Sequence, residues 1–506
     1  MSAVVETTQG KVEGEARTGH LAFRGIPFAE PPVGALRFAA PAPRGPWGGV
    51  RRAFDFAPSS LQPEAEAQWM EAPGPKSEDC LYLNVFTPAA DAGRRPVMVW
   101  IHGGGFTHGG ASQALYDGGR LAVRGDVVVV TINYRLGALG YLYLDRLGGE
   151  AWGATPNCGQ LDQIAALTWV RDNIAAFGGD AGNVTVFGES AGSFAVCALL
   201  AMPAARGLFH RAIAESGAPR RNDPEPATEV AVGLLDELGI AHSAAERLRE
   251  VPADTLLAAQ SRAGLLAPGM LRGYYPVADG KSLPSSVPDV IARGEGAKVP
   301  LVIGTTRDEA NLFNYAELRN IDEPMEEQRA IDRVASELPR RAREHLPSMF
   351  AVYRQSRKAL GLPHGNRALI GAIQTDYRFR IPSIRLAEVY LAHQARTYMY
   401  LFKYESPASR GALRACHALE LPFVFGTLDA PTQDRFAGKG PDVERLSACM
   451  MDSWLAFARG GDPSHPALGD WPRYDRARRP TMVFDRDSRL QDAPLDDERA
   501  AWDGLL

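Results

Sequence analysis

The sequence predicts an α/β fold with a large, mostly parallel central sheet flanked by helices, and three observations carry that expectation. Two continuous apolar runs, Pro96–Ile101 and Val127–Ile132, are of the kind buried on both faces. A stretch from Gln160 to Phe177 sets Leu161, Ile164, Leu167, Val170 and Ile174 at helical spacing and stops at Gly178-Gly179. A third β-branched run, from Val184, passes through a glycine turn into Phe194–Leu200, which reads as a helix. Strands alternating with helices in this way favour parallel pairing.

In chain order, the first segment, to about residue 95, is rich in Gly and Pro. Short strands are expected at 21–28 and 81–86, with a long irregular stretch from Pro41 to Lys76 between them. Beyond the third apolar run, residues 221–295 and 320–395 are mostly helical and charged, separated by a strand at Val299–Gly304. Another apolar strand, Thr397–Phe402, precedes a loop that reaches His417. Helix signals return from Val443 to Ala458, and Thr481–Phe484 reads as a last short strand. No internal repeat, low-complexity tract or interdomain linker interrupts the chain. Residues 1–506 therefore read as one domain, with insertions at roughly 221–295 and 320–395 forming a helical cap.

Composition narrows the function classes. Hydrophobic residues make up 45% and charged residues 23% of the 506 positions, and the net charge is −5. Bulk electrostatics therefore offers nothing to a nucleic acid or an anionic membrane surface. The first ten residues lack the basic and apolar regions of a signal peptide, and no run of eighteen apolar residues suggests a membrane span. The five cysteines, Cys80, Cys158, Cys197, Cys416 and Cys449, are scattered and form no C-x-x-C pair. Free thiols in a reducing cytoplasm are expected, without zinc or thiol redox chemistry.

The glycine turn is Gly188-Glu189-Ser190-Ala191-Gly192, a G-x-S-x-G sequence with a strand before it and a helix after it. That context lifts Ser190 to the apex of a tight elbow, beside the positive end of a helix. A serine hydroxyl is a weak nucleophile, so it needs a base, an acid to orient the base, and N–H donors for the developing oxyanion. Donors are available in His102-Gly103-Gly104-Gly105-Phe106, which directly follows a buried strand, and in the Ala191 N–H. For the acid, Asp308 and Glu309 both lie just past the strand ending at Gly304. For the base, chain order admits any of the seven histidines after Ser190, and His417 is favoured because it follows an apolar strand by a loop.

At this point several blocks together resemble the type-B carboxylesterase/lipase family, which includes the cholinesterases and the bacterial para-nitrobenzyl esterases. Gly25–Pro32 with Leu36-Arg37-Phe38, Glu78–Val85, Asn133–Gly137, Phe177–Asp180, Phe187–Gly192, and Trp454, Phe457 and Trp471-Pro472 match family blocks in order, nearly end to end. The resemblance implies an α/β-hydrolase fold with helical cap insertions. It also implies a Ser190–Glu309–His417 triad, with Glu309 chosen over Asp308. His417 opens the block ending in Phe423-Val424-Phe425-Gly426, closest to the para-nitrobenzyl esterase version. The family's oxyanion donors fall on Gly104, Gly105 and Ala191. Ser216 matches a serine near the acid, Glu189 borders the site, and Arg37 and Glu78 match a structural ion pair. Trp69, Phe106 and Phe313 are candidate substrate contacts, Trp69 as an aromatic at the mouth.

Two departures stand out. Secreted members pair the cysteine of the second signature with one upstream, and no cysteine precedes Cys80, which fits a cytoplasmic enzyme. Gln160 replaces a usually apolar residue. The expected activity is hydrolysis of small carboxylic esters through an acyl-enzyme, by a monomer or weak homo-oligomer with no metal or organic cofactor, nucleic-acid partner or membrane attachment. The alternatives are a non-catalytic binding member of the same fold, or a specialised hydrolase of carbamate or pyrethroid-type esters.

Overall fold

Residues whose side chains alternate between two apolar faces organise the molecule. The computed structural model describes residues 2–64, 74–148, 152, 155–219, 223–265, 273–315 and 323–506. Among these, thirteen strands form one sheet: β1 Ser2–Glu6, β2 Lys11–Arg17, β3 His20–Pro27, β4 Val50–Arg52, β5 Tyr82–Thr87, β6 Arg95–Ile101, β7 Val128–Ile132, β8 Gly179–Glu189, β9 Arg211–Glu215, β10 Leu301–Thr306, β11 Thr397–Phe402, β12 Pro480–Phe484 and β13 Arg489–Asp492. Their order is β1-β2-β3-β5-β7-β6-β8-β9-β10-β11-β12-β13, with β4 beside β2. From β7 through β12 every neighbour is parallel. Apart from β4, which runs parallel to β2, the amino-terminal strands and β13 pair antiparallel at the two ends.

The parallel strands are apolar on both faces because both are covered. On β6, Val97, Val99 and Ile101 join one core, while Met98 and Trp100 point into the other. β7 divides in the same way between Val128, Val130 and Ile132 and the intervening Val129. Trp100 is wholly buried, its ring 4.8 Å from Phe187, 4.9 Å from Phe425 and 5.0 Å from Tyr116.

Helices fill the connections: α1 Cys158–Asn173, α2 Ala191–Ala201, α3 Pro224–Glu237, α4 Ala253–Arg262, α5 Val287–Ala292, α6 Glu327–Ala335, α7 Leu346–Ala359, α8 Asn366–Thr375, α9 Ile381–Tyr390, α10 Pro441–Gly460 and α11 Asp496–Ala500. Between α8 and α9, Asp376–Arg380 winds as one π-helical turn. No helix among the described residues is long and apolar enough to cross a membrane.

The structure adds what local pattern concealed. β9 was absent from the sequence reading because Arg-Ala-Ile-Ala-Glu holds a single β-branched residue and is only five residues long. The strand expected from Val299 begins at Leu301, after Pro300. Within the stretch expected to be irregular, Val50–Arg52 pairs with β2, and Ser59–Ser60 pairs with Lys76–Ser77. Gln160 is fully buried and donates its amide to the Ala195 carbonyl at 3.2 Å, tying α1 to α2. Arg37 grips Glu78 at 2.6 and 2.7 Å and also donates to the carbonyls of Leu248, Arg249 and Val251. No disulfide joins any of the five cysteines.

Candidate active site

Parallel pairing brings several strand ends to one edge of the sheet. Gly188 lies opposite Ile101 on one side and Ala214 on the other, and Glu189 lies opposite Glu215. The loop after β6, the turn after β8 and the turn after β9 therefore meet. This is the expected location for a site in an open parallel sheet.

Ser190 sits at φ 55°, ψ −123°, a backbone conformation that side-chain-bearing residues rarely adopt. It is held there by its N–H on the Glu215 carbonyl at 2.9 Å and by its carbonyl, which accepts from Phe194 N–H at 2.9 Å. A Cβ on Gly192 would fall 2.0 Å from the Ile101 carbonyl oxygen, so glycine alone lets α2 start this close to β6. The hydroxyl is half-buried and, among the described residues, makes no hydrogen bond.

The glycine loop is shaped by similar constraints. Gly104 has φ +104°, and a Cβ there would lie 2.2 Å from the His108 carbonyl oxygen. Its carbonyl accepts from the N–H groups of Thr107 and His108, at 3.1 and 2.9 Å. The N–H groups of Gly104, Gly105 and Ala191 carry no hydrogen bond among the described residues. Such free donors suit an oxyanion. His102 is buried, stacked 4.5 Å from Tyr134, and burial pushes its imidazole down to about 4. It stays neutral and braces the loop through Nδ1 on the Gly103 carbonyl at 2.9 Å.

His417 and Glu309 come together although 108 residues separate them. Nδ1 lies 2.6 Å from Glu309 Oε2, and Glu309 Oε1 accepts the Thr306 N–H at 2.7 Å. Both residues are buried. Asp308 points elsewhere, to Arg307 and Arg357. On its other edge, His417 Nε2 is 3.1 Å from Glu189 Oε1, which makes no hydrogen bond among the described residues. The imidazole thus lies between two carboxyl groups.

Two more glutamates complete a buried acidic cluster. Ser216 Oγ donates to Glu420 Oε1 at 2.8 Å, and Tyr400 OH reaches the same oxygen at 3.4 Å. Trp454 Nε1 donates to Glu215 Oε1 at 2.9 Å. Burial, reinforced by neighbouring carboxylates, pushes Glu189 and Glu420 well above the usual carboxylate range. Glu215 is pushed up to about 8 by burial. Each shift favours the neutral acid, because a buried cluster resists carrying several negative charges together. Among the described residues no group of His, Cys, Asp and Glu side chains could hold a metal ion.

The other sequence-derived candidates are placed as follows. Ser216 bonds to Glu420, not to Glu309. Phe313 is half-buried with its ring 5.1 Å from His417. Phe106 is fully buried, packed 4.7 Å from Tyr141 and 5.8 Å from Tyr275. Trp69 lies outside the described residues. Sequence reasoning missed Glu215, Glu420 and Phe379. Phe379 stands 4.9 Å from His417 and nearly parallel to Phe313, at 6°. The π-helical turn that aims it breaks the helical spacing that would have assigned it a face.

Comparison with known proteins finds relatives along nearly the whole chain. The model of the carboxylesterase family matches residues 1–502. The chain is 39% identical to the para-nitrobenzyl esterase of Bacillus subtilis (strain 168), over 98% of this chain and 97% of that protein. It is 36% identical to a phenmedipham hydrolase of Pseudarthrobacter oxydans, over 95% and 94%. Among solved structures, a Geobacillus stearothermophilus carboxylesterase superposes with a TM-score of 0.86 at 41% identity, covering 99% of both chains. A thermophilic PNB esterase gives 0.87 at 38%, covering 99% of this chain and 100% of that one.

Proposed function

This chain belongs to the carboxylesterase family, and from that membership we propose how it carries out the hydrolysis of carboxylic esters that its relatives share. Ser190 is the nucleophile, His417 the general base and Glu309 the acid that orients it. The observation that carries this reading is the 2.6 Å contact between His417 Nδ1 and Glu309 Oε2, beside a serine on a strained apex.

His417 Nε2 takes the hydroxyl proton as Ser190 Oγ attacks the ester carbonyl. The free N–H groups of Gly104, Gly105 and Ala191 receive the oxyanion, and removing one such donor typically costs about 3 kcal/mol of transition-state stabilisation. His417 then protonates the departing alcohol and activates the water that releases the acid, while Glu309 keeps the imidazolium aligned. The missing Ser190–His417 hydrogen bond is compatible with this cycle, because such bonds are often long or misaligned in unliganded enzymes.

The acyl-enzyme is tested by mixing enzyme with p-nitrophenyl butyrate in a stopped-flow instrument. A burst stoichiometric with enzyme, absent in Ser190→Ala, is the expected result. Turnover persisting in Ser190→Ala would move the chemistry elsewhere.

The substrate class follows from the aromatic walls beside His417: small esters with apolar acyl or alcohol groups. One relative is named for p-nitrobenzyl esters and another for phenmedipham, so kcat/KM on those two compounds separates a broad esterase from a specialised one. Five cysteines outside any disulfide support a cytoplasmic location. A monomeric or weakly associating state belongs to the same proposal and is read by light scattering.

A further inference from the structure

The turn that carries Glu309 is held from outside on both of its flanks. Asp308, the residue before, takes Arg307 on Oδ2 at 2.8 and 2.9 Å and receives Arg357 Nη2 on Oδ1 at 3.3 Å. Ala310, the residue after, donates its N–H to Thr375 Oγ1 at 3.0 Å. Arg357 belongs to α7 and Thr375 ends α8, so both anchors come from the helical insertion and not from the sheet. Each is almost wholly buried, at 3% and 1% exposure. The Arg357 guanidinium is itself fixed, with Nε on the Pro363 carbonyl at 2.9 Å and Nη1 3.9 Å from Glu498 Oε2.

Two contacts bracketing one carboxylate matter because that carboxylate is already committed on both oxygens, to Thr306 N–H and to His417. Backbone bonds also join this turn to the loop of His417, from Asp308 N–H to the Ala415 carbonyl at 2.9 Å and from His417 N–H to the Glu309 carbonyl at 3.3 Å, so a shift of the turn is passed directly to the imidazole. Thr375 also stands directly before the π-helical turn that sets Phe379 against His417. The same helix end thus fixes the acid and one wall of the imidazole.

We propose that Arg357 and Thr375 are positioning residues for Glu309, through which the helical insertion sets the alignment of His417 during ester hydrolysis. This rests on the reading of Glu309 as the orienting acid. Neither residue need touch substrate. Their loss lowers kcat and leaves KM nearly unchanged, because alignment of the imidazolium counts in the transition state.

Thr375→Val keeps the shape and removes the acceptor for Ala310 N–H, whereas Thr375→Ser keeps the hydroxyl. Arg357→Met and Arg357→Lys form the parallel pair, since lysine lacks the planar fork. Steady-state kinetics on p-nitrophenyl butyrate are referred to active sites counted by exhaustive fluorophosphonate titration, so a poorly folded fraction does not register as lost kcat. Thr375→Val is expected to lose about tenfold in kcat per site, the scale of a small misplacement, with Thr375→Ser near wild type. The loss should vanish when Thr375→Val is combined with Glu309→Gln, because both act through one carboxylate.

If Thr375→Val and Arg357→Met keep full kcat per site while Glu309→Gln loses it, the anchors are structural only and the proposal is overturned. A Thr375→Val loss that multiplies with that of Glu309→Gln overturns it too. If Glu309→Gln itself keeps full activity, the reading of the acid fails and this inference fails with it.

Discussion

Gly103 lies so close to Ser190 that a Cβ on it would sit 3.1 Å from Ser190 Cβ and 2.8 Å from the Glu189 carbonyl oxygen. The glycine loop and the serine turn are therefore one packed unit, and the distance between them is set by a missing side chain. Gly103→Ala would push the loop off the turn and carry the Gly104 and Gly105 donors with it. A fall in kcat of about 100-fold or more is expected, the range for losing one oxyanion donor. Hydrolysis of p-nitrophenyl acetate beside a thermal melt checks this, the melt showing whether the loss is local.

The near-parallel rings of Phe313 and Phe379 stand on one side of His417. Phe379→Ala removes half of that wall while leaving the imidazole's partners in place. Relative kcat/KM for p-nitrophenyl esters should move toward longer acyl chains, by about tenfold between acetate and octanoate, roughly the worth of one or two methylenes in a pocket. An unchanged chain-length profile would mean that these rings face the histidine and not the acyl group.

Glu215 gives a pH-dependent contribution to stability whose sign is fixed by its raised value of about 8. The unfolded chain releases this proton near the ordinary value of 4.5, whereas the folded protein keeps it. Its contribution is therefore complete below about pH 4.5 and is lost as pH rises through about 8, on the order of a few kcal/mol. Glu215→Gln keeps an oxygen for Trp454 Nε1 and removes the titration. Melting temperature plotted from pH 5 to 9 should fall less steeply in the variant than in wild type.

Trp100 tests the sheet itself. Its ring meets Tyr116, Phe187 and Phe425, and its buried indole N–H has no partner among the described residues. Trp100→Ala should cost about 3–5 kcal/mol through lost contacts and the cavity left behind. Trp100→Phe should cost much less, because no hydrogen bond is lost. Urea unfolding midpoints of the two variants measure the difference.

What the sequence made legible follows physical range. The serine turn and the glycine loop could be read because tight backbone approach demands glycine within a few residues. Strands apolar on both faces announced a covered parallel sheet. His417 could only be favoured among seven histidines, and Glu309 separated from Asp308 by family resemblance, because their contact spans 108 residues and leaves no local trace. Glu215 ends a strand too short to recognise. Glu420 follows His417 by three residues, yet nothing local says that a carboxyl there would be buried on Ser216. Arg357 and Thr375 reach the turn of Glu309 from helices expected only to form a cap.

In the proposed cycle Ser190 becomes the acylated residue, with His417 as its base. Labelling the protein with a fluorophosphonate and mapping the adduct by peptide mass spectrometry tests it most directly. The adduct should fall on the peptide containing Ser190, with labelling slowed at least 100-fold in His417→Gln. An adduct on another residue, or equal labelling rates in the two proteins, would contradict the assignment.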